Sequence, residues 1–268
     1  MDILKKIITH KRKETEERQR LYPLELLKKS IHFAAPCVSL KQYVLRPDKS
    51  GIIAEFKRRS PSKGNINLYA DVEKISIGYM QAGASALSVL TDETFFGGSN
   101  DDLKTARKFN YCPILRKDFV VDEYQIYEAK AIGADAILLI AAVLSRQEIE
   151  QFTALAHRLG MEVLLEFYAP EELEKYVPDA DLTGINNRNL KDFSVNFDHA
   201  IQMARQLPAG TLKIAESGIR QPQDIVLLKN AGFDGFLIGE LFMREVSPET
   251  ACRHFIREVN ELQKNRTS

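Results

Sequence analysis

The chain has 268 residues, 44% hydrophobic and 28% charged, and 37 Lys plus Arg balance 37 Asp plus Glu. A net charge of zero gives no global attraction to nucleic acid or to an anionic membrane, so any affinity for an anion must be local. No apolar run approaches the roughly 18 residues of a membrane span, the N-terminus (Lys5, Lys6, Lys11, Arg12, Lys13) has no apolar leader core, and Cys37, Cys112 and Cys252 lie too far apart for a disulfide framework or metal cluster, so a cytoplasmic protein without nucleic-acid or membrane partners is expected.

Residues 2–20 are polar and helical in character, and 22–33 (YPLELLKKSIHF) reads as a second, amphipathic helix with Pro23 in its first turn. This extension, residues 1–50, stands outside the rhythm that follows. It either plugs the bottom of the fold or flanks the active site as a lid, and the sequence leaves both open. From residue 51 short apolar runs alternate with helix-like segments. The runs are 51–57, 85–90, 113–117, 135–140, 162–166, 182–186, 211–216 and 234–238. The segments with apolar residues at 3–4 spacing include 70–82, 122–132, 145–159, 197–206, 221–231 and 248–264. Gly83, Gly133, Gly160 and Gly232 each follow such a segment, as C-terminal glycines do. Asp122 with Gln125, and Ser145 with Glu148, have the spacing of capping boxes.

Eight strands each followed by a helix or loop predict an α/β protein of the (β/α)8 TIM-barrel class with an N-terminal helical extension, one domain over 1–268. An open doubly wound sheet is the alternative; no Gly-x-Gly-x-x-Gly follows the first strand. In a barrel the active site forms at the C-terminal strand ends. Strand one ends in Glu55 and Lys57, which share a face with Ile53, while Ile52, Ala54 and Phe56 share the other. Taken alone, the segment reads as an edge strand running into solvent. The other ends repeat the pattern: Arg116, Lys117, Asp118 and Phe119; Glu166; Asn186, Asn187 and Arg188; Glu216, Ser217 and Gly218; Gly239 and Glu240. Strand two leads into a loop carrying Phe96. Lys57 and Lys117 can bind anions or donate protons; Glu55, Glu166 and Glu216 can accept protons and orient the lysines. A lysine beside a second cation should have a lowered pKa and a carboxyl in an apolar setting a raised one, both suited to acid–base work near neutral pH. Ser217-Gly218 and Gly239-Glu240 suit a phosphate held by backbone N–H groups, with the Glu240 side chain turned away. His10, His32, His157, His199 and His254 show no metal-ligand spacing, so no metal and no histidine catalyst is expected.

From Ile52 to about Met243 the chain resembles the indole-3-glycerol phosphate synthase family, and the helical extension fits as well. The resemblance is carried by Ile53–Gly64 (IAEFKRRSPSKG), 87–92 (LSVLTD), 113–119 (PILRKDF), 184–190 (GINNRNL), 215–219 (AESGI) and 237–240 (LIGE), in that order. After Glu166 the stretch EFYAPEE departs from the commoner wording of the family. The resemblance implies closure of an indole ring from 1-(2-carboxyphenylamino)-1-deoxyribulose 5-phosphate, with loss of carbon dioxide and water, and no cofactor. It implies Lys117 as the acid on the carbonyl oxygen, Lys57 against the anthranilate carboxylate and in dehydration, Glu166 handling a proton, and Glu55 orienting a lysine. Asn186 would meet a substrate hydroxyl, Arg188 would support as a cation, and Glu216 and Ser217 would contact the ribulose. Ser60, Gly218, Gly239 and the Glu240 N–H would hold the phosphate; Phe96, Phe119, Leu138 and Leu190 would wall the aromatic ring. The order in which the two lysines act stays open, with Lys117 assigned to closure.

Two readings of other kinds compete. A Schiff-base phosphosugar aldolase would use Lys117 as nucleophile. A non-catalytic phosphosugar-binding barrel would keep Gly218 and Gly239 without needing Glu55, Lys57, Lys117 and Glu166 together. The sister isomerase would call for a cysteine at the end of the first strand, where this chain has none. A small-molecule substrate and a monomer or weak homodimer are expected.

Overall fold

The computed structural model describes residues 3–188 and 194–267. The extension contributes α1 (Ile3–Leu21), α2 (Leu24–Leu27) and α3 (Leu40–Leu45). The barrel follows with β1 (Ile52–Phe56), a small hairpin of β2 (Arg59–Ser60) and β3 (Gly64–Asn65), α4 (Val72–Gln81), β4 (Ala86–Leu90), α5 (Glu93–Phe96), α6 (Asn100–Phe109) and β5 (Ile114–Lys117). Then come α7 (Glu123–Ile132), β6 (Ala136–Ile140), α8 (Arg146–Arg158), β7 (Glu162–Phe167), a 3-10 turn (Pro170–Lys175) and β8 (Leu182–Asn186). The chain finishes with α9 (Phe197–Ala204), β9 (Lys213–Glu216), α10 (Pro222–Asn230), β10 (Gly235–Ile238), α11 (Glu240–Met243) and α12 (Pro248–Thr267). Among the described residues, no helix is long and apolar enough to cross a membrane.

The strands close in the order β1-β10-β9-β8-β7-β6-β5-β4, every pair parallel. The expected eight-stranded barrel is therefore present, and β1 is paired on both sides rather than lying at an edge. Strand parity divides the apolar residues into two layers. Ile53, Leu115, Leu138, Leu164, Leu182, Ile214 and Leu237 fill the barrel interior. Ile52, Ala54, Phe56, Val89, Leu139, Leu165 and Phe236 pack outward against the helices.

Helix ends behave largely as the sequence indicates. Gly83, Gly133, Gly160 and Gly232 all adopt positive φ, and the Ser145–Glu148 capping box forms. Asp122 caps α7 through the Tyr124 N–H, but Gln125 does not reciprocate. It is buried, accepts from the Val121 N–H and donates to the Phe119 carbonyl, fixing the loop after β5. Helix α6, between the second and third barrel strands, is absent from the expected segments because its sequence, NDDLKTARKF, is mostly polar. The expected helix over 22–33 shrinks to α2, after which residues 28–35 run through turns. Leu24, Leu26 and Ile31 stay exposed, so no apolar face is buried to support a longer helix.

The extension divides between the two ends of the barrel. Helix α3 plugs the bottom: Leu40 and Val44 join the interior cluster, and Ser39 Oγ and the Lys41 N–H bind Glu162 at 2.5 and 2.8 Å, at the start of β7. Helix α1 lies at the opposite end, where Ile3, Leu4 and Ile7 line the mouth of the barrel.

Candidate active site

A cavity open to solvent occupies the mouth, lined by residues from the strand ends and from α1. Parity decides which strand-end residues reach it. On β5, Lys117 faces the cavity while the guanidinium of Arg116 is buried against Glu128 at 2.6 Å and Asp118 at 3.2 Å. At the end of β8, Asn186 lines the cavity, whereas Asn187 donates to the Glu216 and Ser217 carbonyls at 2.9 and 2.8 Å and braces the neighbouring loop.

The centre is a charged cluster. Lys117 Nζ lies 3.0 Å from Glu166 and 3.1 Å from Glu216, both carboxylates essentially without solvent. Asn186 Nδ2 donates to Glu166 at 3.3 Å. Lys57 Nζ sits 2.8 Å from Glu55, whose other oxygen accepts from Ser88 at 3.4 Å.

These contacts reverse one expectation. Burial on its own would lower the Lys117 ammonium, but Glu166, Glu216 and Glu55 outweigh it and hold Lys117 above the ordinary lysine range. Its neighbours are anions, not a second cation. The raised carboxyl is Glu216, pushed well above its usual range by burial and by the charge of Glu166. Burial pushes Glu166 the same way, but its other surroundings, the charge of Lys117 foremost, bring it below the ordinary value.

The remaining expected residues surround this cluster. Phe96 and Phe119 pack with ring centroids 5.8 Å apart and line the cavity with Leu138. Ser60, Ser217, Gly218 and Gly239 line the opposite part of the mouth. Ser60 Oγ accepts from the Lys63 N–H at 3.2 Å, closing the β2–β3 turn. Ser217 holds φ 65°, the single described non-glycine residue at positive φ, and Asn187 secures its carbonyl. Arg188 pairs with Glu240 at 3.2 Å, and Lys63 stands 3.8 Å from the same side chain, so the Glu240 carboxylate is engaged at the rim. Leu190 lies outside the described residues.

Three glycines are required by close approach. A Cβ on Gly184 would come within 2.2 Å of Glu216 Oε1, so this inward position on β8 makes room for the carboxyl of β9. A Cβ on Gly218, whose φ is 79°, would meet Val195 at 2.3 Å. A Cβ on Gly239 would lie 2.5 Å from Glu55 Oε1 and 3.0 Å from its Cβ. Gly239→Ala is therefore expected to displace Glu55 and Lys57 and lower kcat/KM about tenfold through misplacement alone. Steady-state kinetics beside a melting curve check this; an unchanged kcat/KM counts against the packing argument.

Sequence reasoning missed Tyr168, Gly184 and the α1 residues. The i, i+2 relation to Glu166 and Asn186 signals the first two. Nothing in α1 itself indicates which end of the barrel it covers.

The family model described as indole-3-glycerol phosphate synthase matches residues 4–255. A protein named indole-3-glycerol phosphate synthase from Bacteroides thetaiotaomicron is 47% identical over 258 residues, covering 96% of this chain and 99% of the relative. One of the same name from Neisseria meningitidis is 44% identical, covering 91% and 95%. Among solved structures, thiamine phosphate pyrophosphorylase from Pyrococcus furiosus aligns with a TM-score of 0.61 at 17% identity over 84% of this chain and 99% of that one. Tryptophan synthase subunit alpha from Legionella pneumophila aligns at 0.58 and 13% identity over 80% and 92%. At such identities the two structures share the fold alone.

Proposed function

We infer the roles of these side chains from one premise: the chain belongs to the indole-3-glycerol phosphate synthase family, carboxy-lyases of tryptophan biosynthesis. The substrate is 1-(2-carboxyphenylamino)-1-deoxyribulose 5-phosphate. Its ring lies among Phe96, Phe119, Leu138 and the α1 residues Ile3, Leu4 and Ile7. Its phosphate lies toward Ser60, Gly218, Gly239 and the Glu240 N–H, with Arg188 nearby as a supporting cation. Lys117 then meets the ketone oxygen, and Asn186, Glu216 and Ser217 meet the sugar.

Lys117 gives a proton to that oxygen as the ring carbon bearing the carboxylate attacks the carbonyl carbon. The new C–C bond closes the five-membered ring, and loss of carbon dioxide returns the electron pair of the broken C–C bond to the ring. The hydroxyl formed at closure leaves as water, protonated by Lys57 (held by Glu55), while Glu166 takes the proton lost from the adjacent carbon. No electrons pass to or from a redox partner. The apolar wall holds the ring over the sugar carbon and excludes water, so much of the rate comes from orientation.

The observation that carries the reading is the Lys117 ammonium clamped at 3.0 and 3.1 Å between two buried carboxyl groups beside an aromatic wall. A lysine kept protonated suits an acid and not the nucleophile of a Schiff base. Purified protein with the substrate and no added cofactor should develop indole fluorescence, unmasked because the chain has no Trp. Silence from folded protein rejects the reading, and borohydride trapping of a lysine adduct would support the aldolase.

A further inference from the structure

Lys117 meets carboxylates from two strands that are not neighbours. Glu166 is on β7 and Glu216 on β9, and β8 runs between them. On the inward face of β8, Leu182 joins the interior cluster and Asn186 lines the mouth, and between them Gly184 carries no side chain. The register pairs Gly184 with Glu166 on one side and with Ile214, two residues before Glu216, on the other. The Glu216 carboxyl folds into that gap: a Cβ on Gly184 would overlap Glu216 Oε1 and lie 3.3 Å from its Cδ.

The backbone does not call for glycine here. Gly184 lies within β8 and outside the left-handed region, and a glycine inside a strand is a net cost unless another group needs its space. That group cannot give way by moving its main chain. The Glu216 carbonyl accepts from the Asn187 N–H and Nδ2 at 2.8 and 2.9 Å, which ties β9 to β8 just past Gly184. Below, Leu164 Cδ1 of the interior cluster stands 3.4 Å from the same Cβ position and closes the way down. Among the described residues neither Glu216 oxygen has a hydrogen-bond partner, so the ion pair with Lys117 at 3.1 Å holds the carboxyl in place. A methyl group at position 184 therefore moves the carboxyl and not the strand.

We propose that Gly184 is a positioning residue: the gap it leaves on β8 lets the Glu216 carboxyl reach across the strand to Lys117, and any side chain there breaks that ion pair. The packing stands by itself, and its effect on turnover rests on the synthase reading. With Glu216 displaced, Lys117 keeps Glu166 alone at 3.0 Å and loses the second contact that fixes where its ammonium points. Gly184 touches no reacting atom in this role.

Gly184→Ala should lower kcat about tenfold, the size of a small misplacement in a site, with KM little changed, because the aromatic wall and the phosphate end do not depend on Gly184. In a Glu216→Ala background the same change should cost no further kcat, since nothing is left to displace. An unchanged kcat in Gly184→Ala, a loss that falls on KM, or an equal loss in both backgrounds overturns the proposal. Melting curves give a second measurement that needs no turnover. Gly184→Ala should lower the melting temperature by a few degrees in the parent and in Glu216→Gln, which keeps the volume of the side chain. In Glu216→Ala it should leave the melting temperature unchanged or raise it, as alanine does in a strand that has room. A drop of the same size in Glu216→Ala overturns the packing. An inactive parent protein would defeat the synthase reading, while the melts would still decide whether Glu216 occupies the gap at Gly184.

Discussion

Lys117→Ala is expected to lower kcat by about a thousandfold, within the range of losses for a positioned general acid. The fold should survive, because Lys117 stands at the open end of the barrel and its side chain supports neither apolar layer. The electrostatic consequence is specific. In the parent cluster one ammonium stands between two buried carboxyl groups, of which Glu216 is held well above its usual range by burial and by the charge of Glu166. Without Lys117 the remaining anion has no cation at 3 Å, and its titration should shift upward. Lys57→Ala should cost less, roughly tenfold to a hundredfold in kcat, because Lys57 contributes after the ring has closed. Indole fluorescence in single-turnover experiments, with circular dichroism to confirm folding, checks both. Near-normal turnover in Lys117→Ala beside lost turnover in Lys57→Ala would reverse the assignment of the two lysines.

The barrel was legible because each strand is a short apolar run and four of the helices end at a glycine that adopts positive φ. Helix α6 escaped because burial there depends on few positions, Leu103 and Ala106 with Asp102, set among charged residues. The polar reading of α1 was correct in composition and incomplete in meaning. Its buried stripe is Ile7, Lys11 and Thr15, spaced i, i+4, i+8, so one helical face is buried through a lysine. A buried lysine looks like a surface residue until its partners are known, and two of its three partners, Asp92 and Asp118, lie between β4 and α5 and after β5, far away in sequence.

The site residues were legible for a related reason. At strand ends the two-residue period selects Glu55 and Lys57, Lys117, Glu166, Asn186 and Glu216 as inward, and the closed barrel brings them together. What the period could not give was the sign of the Lys117 shift, since that depends on which neighbour lies across the barrel. The expectation paired lysine with lysine. The barrel instead sets Lys117 between the glutamates of β7 and β9, and Lys57 beside the glutamate of its own strand. Lys117, held above the ordinary lysine range by those glutamates, is kept charged, which suits proton donation to oxygen and opposes attack by a neutral amine.

Lys11→Met should produce a large loss of stability for a substitution in the N-terminal extension. Lys11 Nζ lies 2.9 Å from Glu14, 3.0 Å from Asp92 and 3.0 Å from Asp118, and the residue is 1% exposed. Asp92 also caps α5, accepting from the Phe95 and Phe96 N–H groups, and Asp118 directly follows Lys117. One ammonium thus ties α1 to both the loop that presents Phe96 and the strand end that presents Lys117. Removing it leaves two buried carboxylates short of a cation, a loss of about 3 kcal/mol and, for a chain of this size, on the order of 10 °C in melting temperature. Asp118 retains Arg116 at 3.2 Å and Thr91 at 2.5 Å, which keeps the loss from being larger. KM should rise about tenfold, because Ile3, Leu4 and Ile7 depend on α1 for their place in the apolar lining of the cavity. The pH dependence has a definite sign. Burial would raise the Asp118 carboxyl, but Lys11 and then Arg116 hold it far below its usual range. Its folded pKa is depressed, so its stabilisation is present above the unfolded value, about 3.9, and is lost as pH falls through the folded value. In Lys11→Met the folded value rises toward the unfolded one, so the gap in stability between parent and variant should be widest near neutral pH and narrow below about pH 4. Adding Asp118→Asn should recover part of the loss, because the second change removes the stranded charge. Denaturant melts of the four proteins in this cycle between pH 3 and 7 measure the coupling. Additive losses at every pH would show that Asp118 does not hold α1 through Lys11.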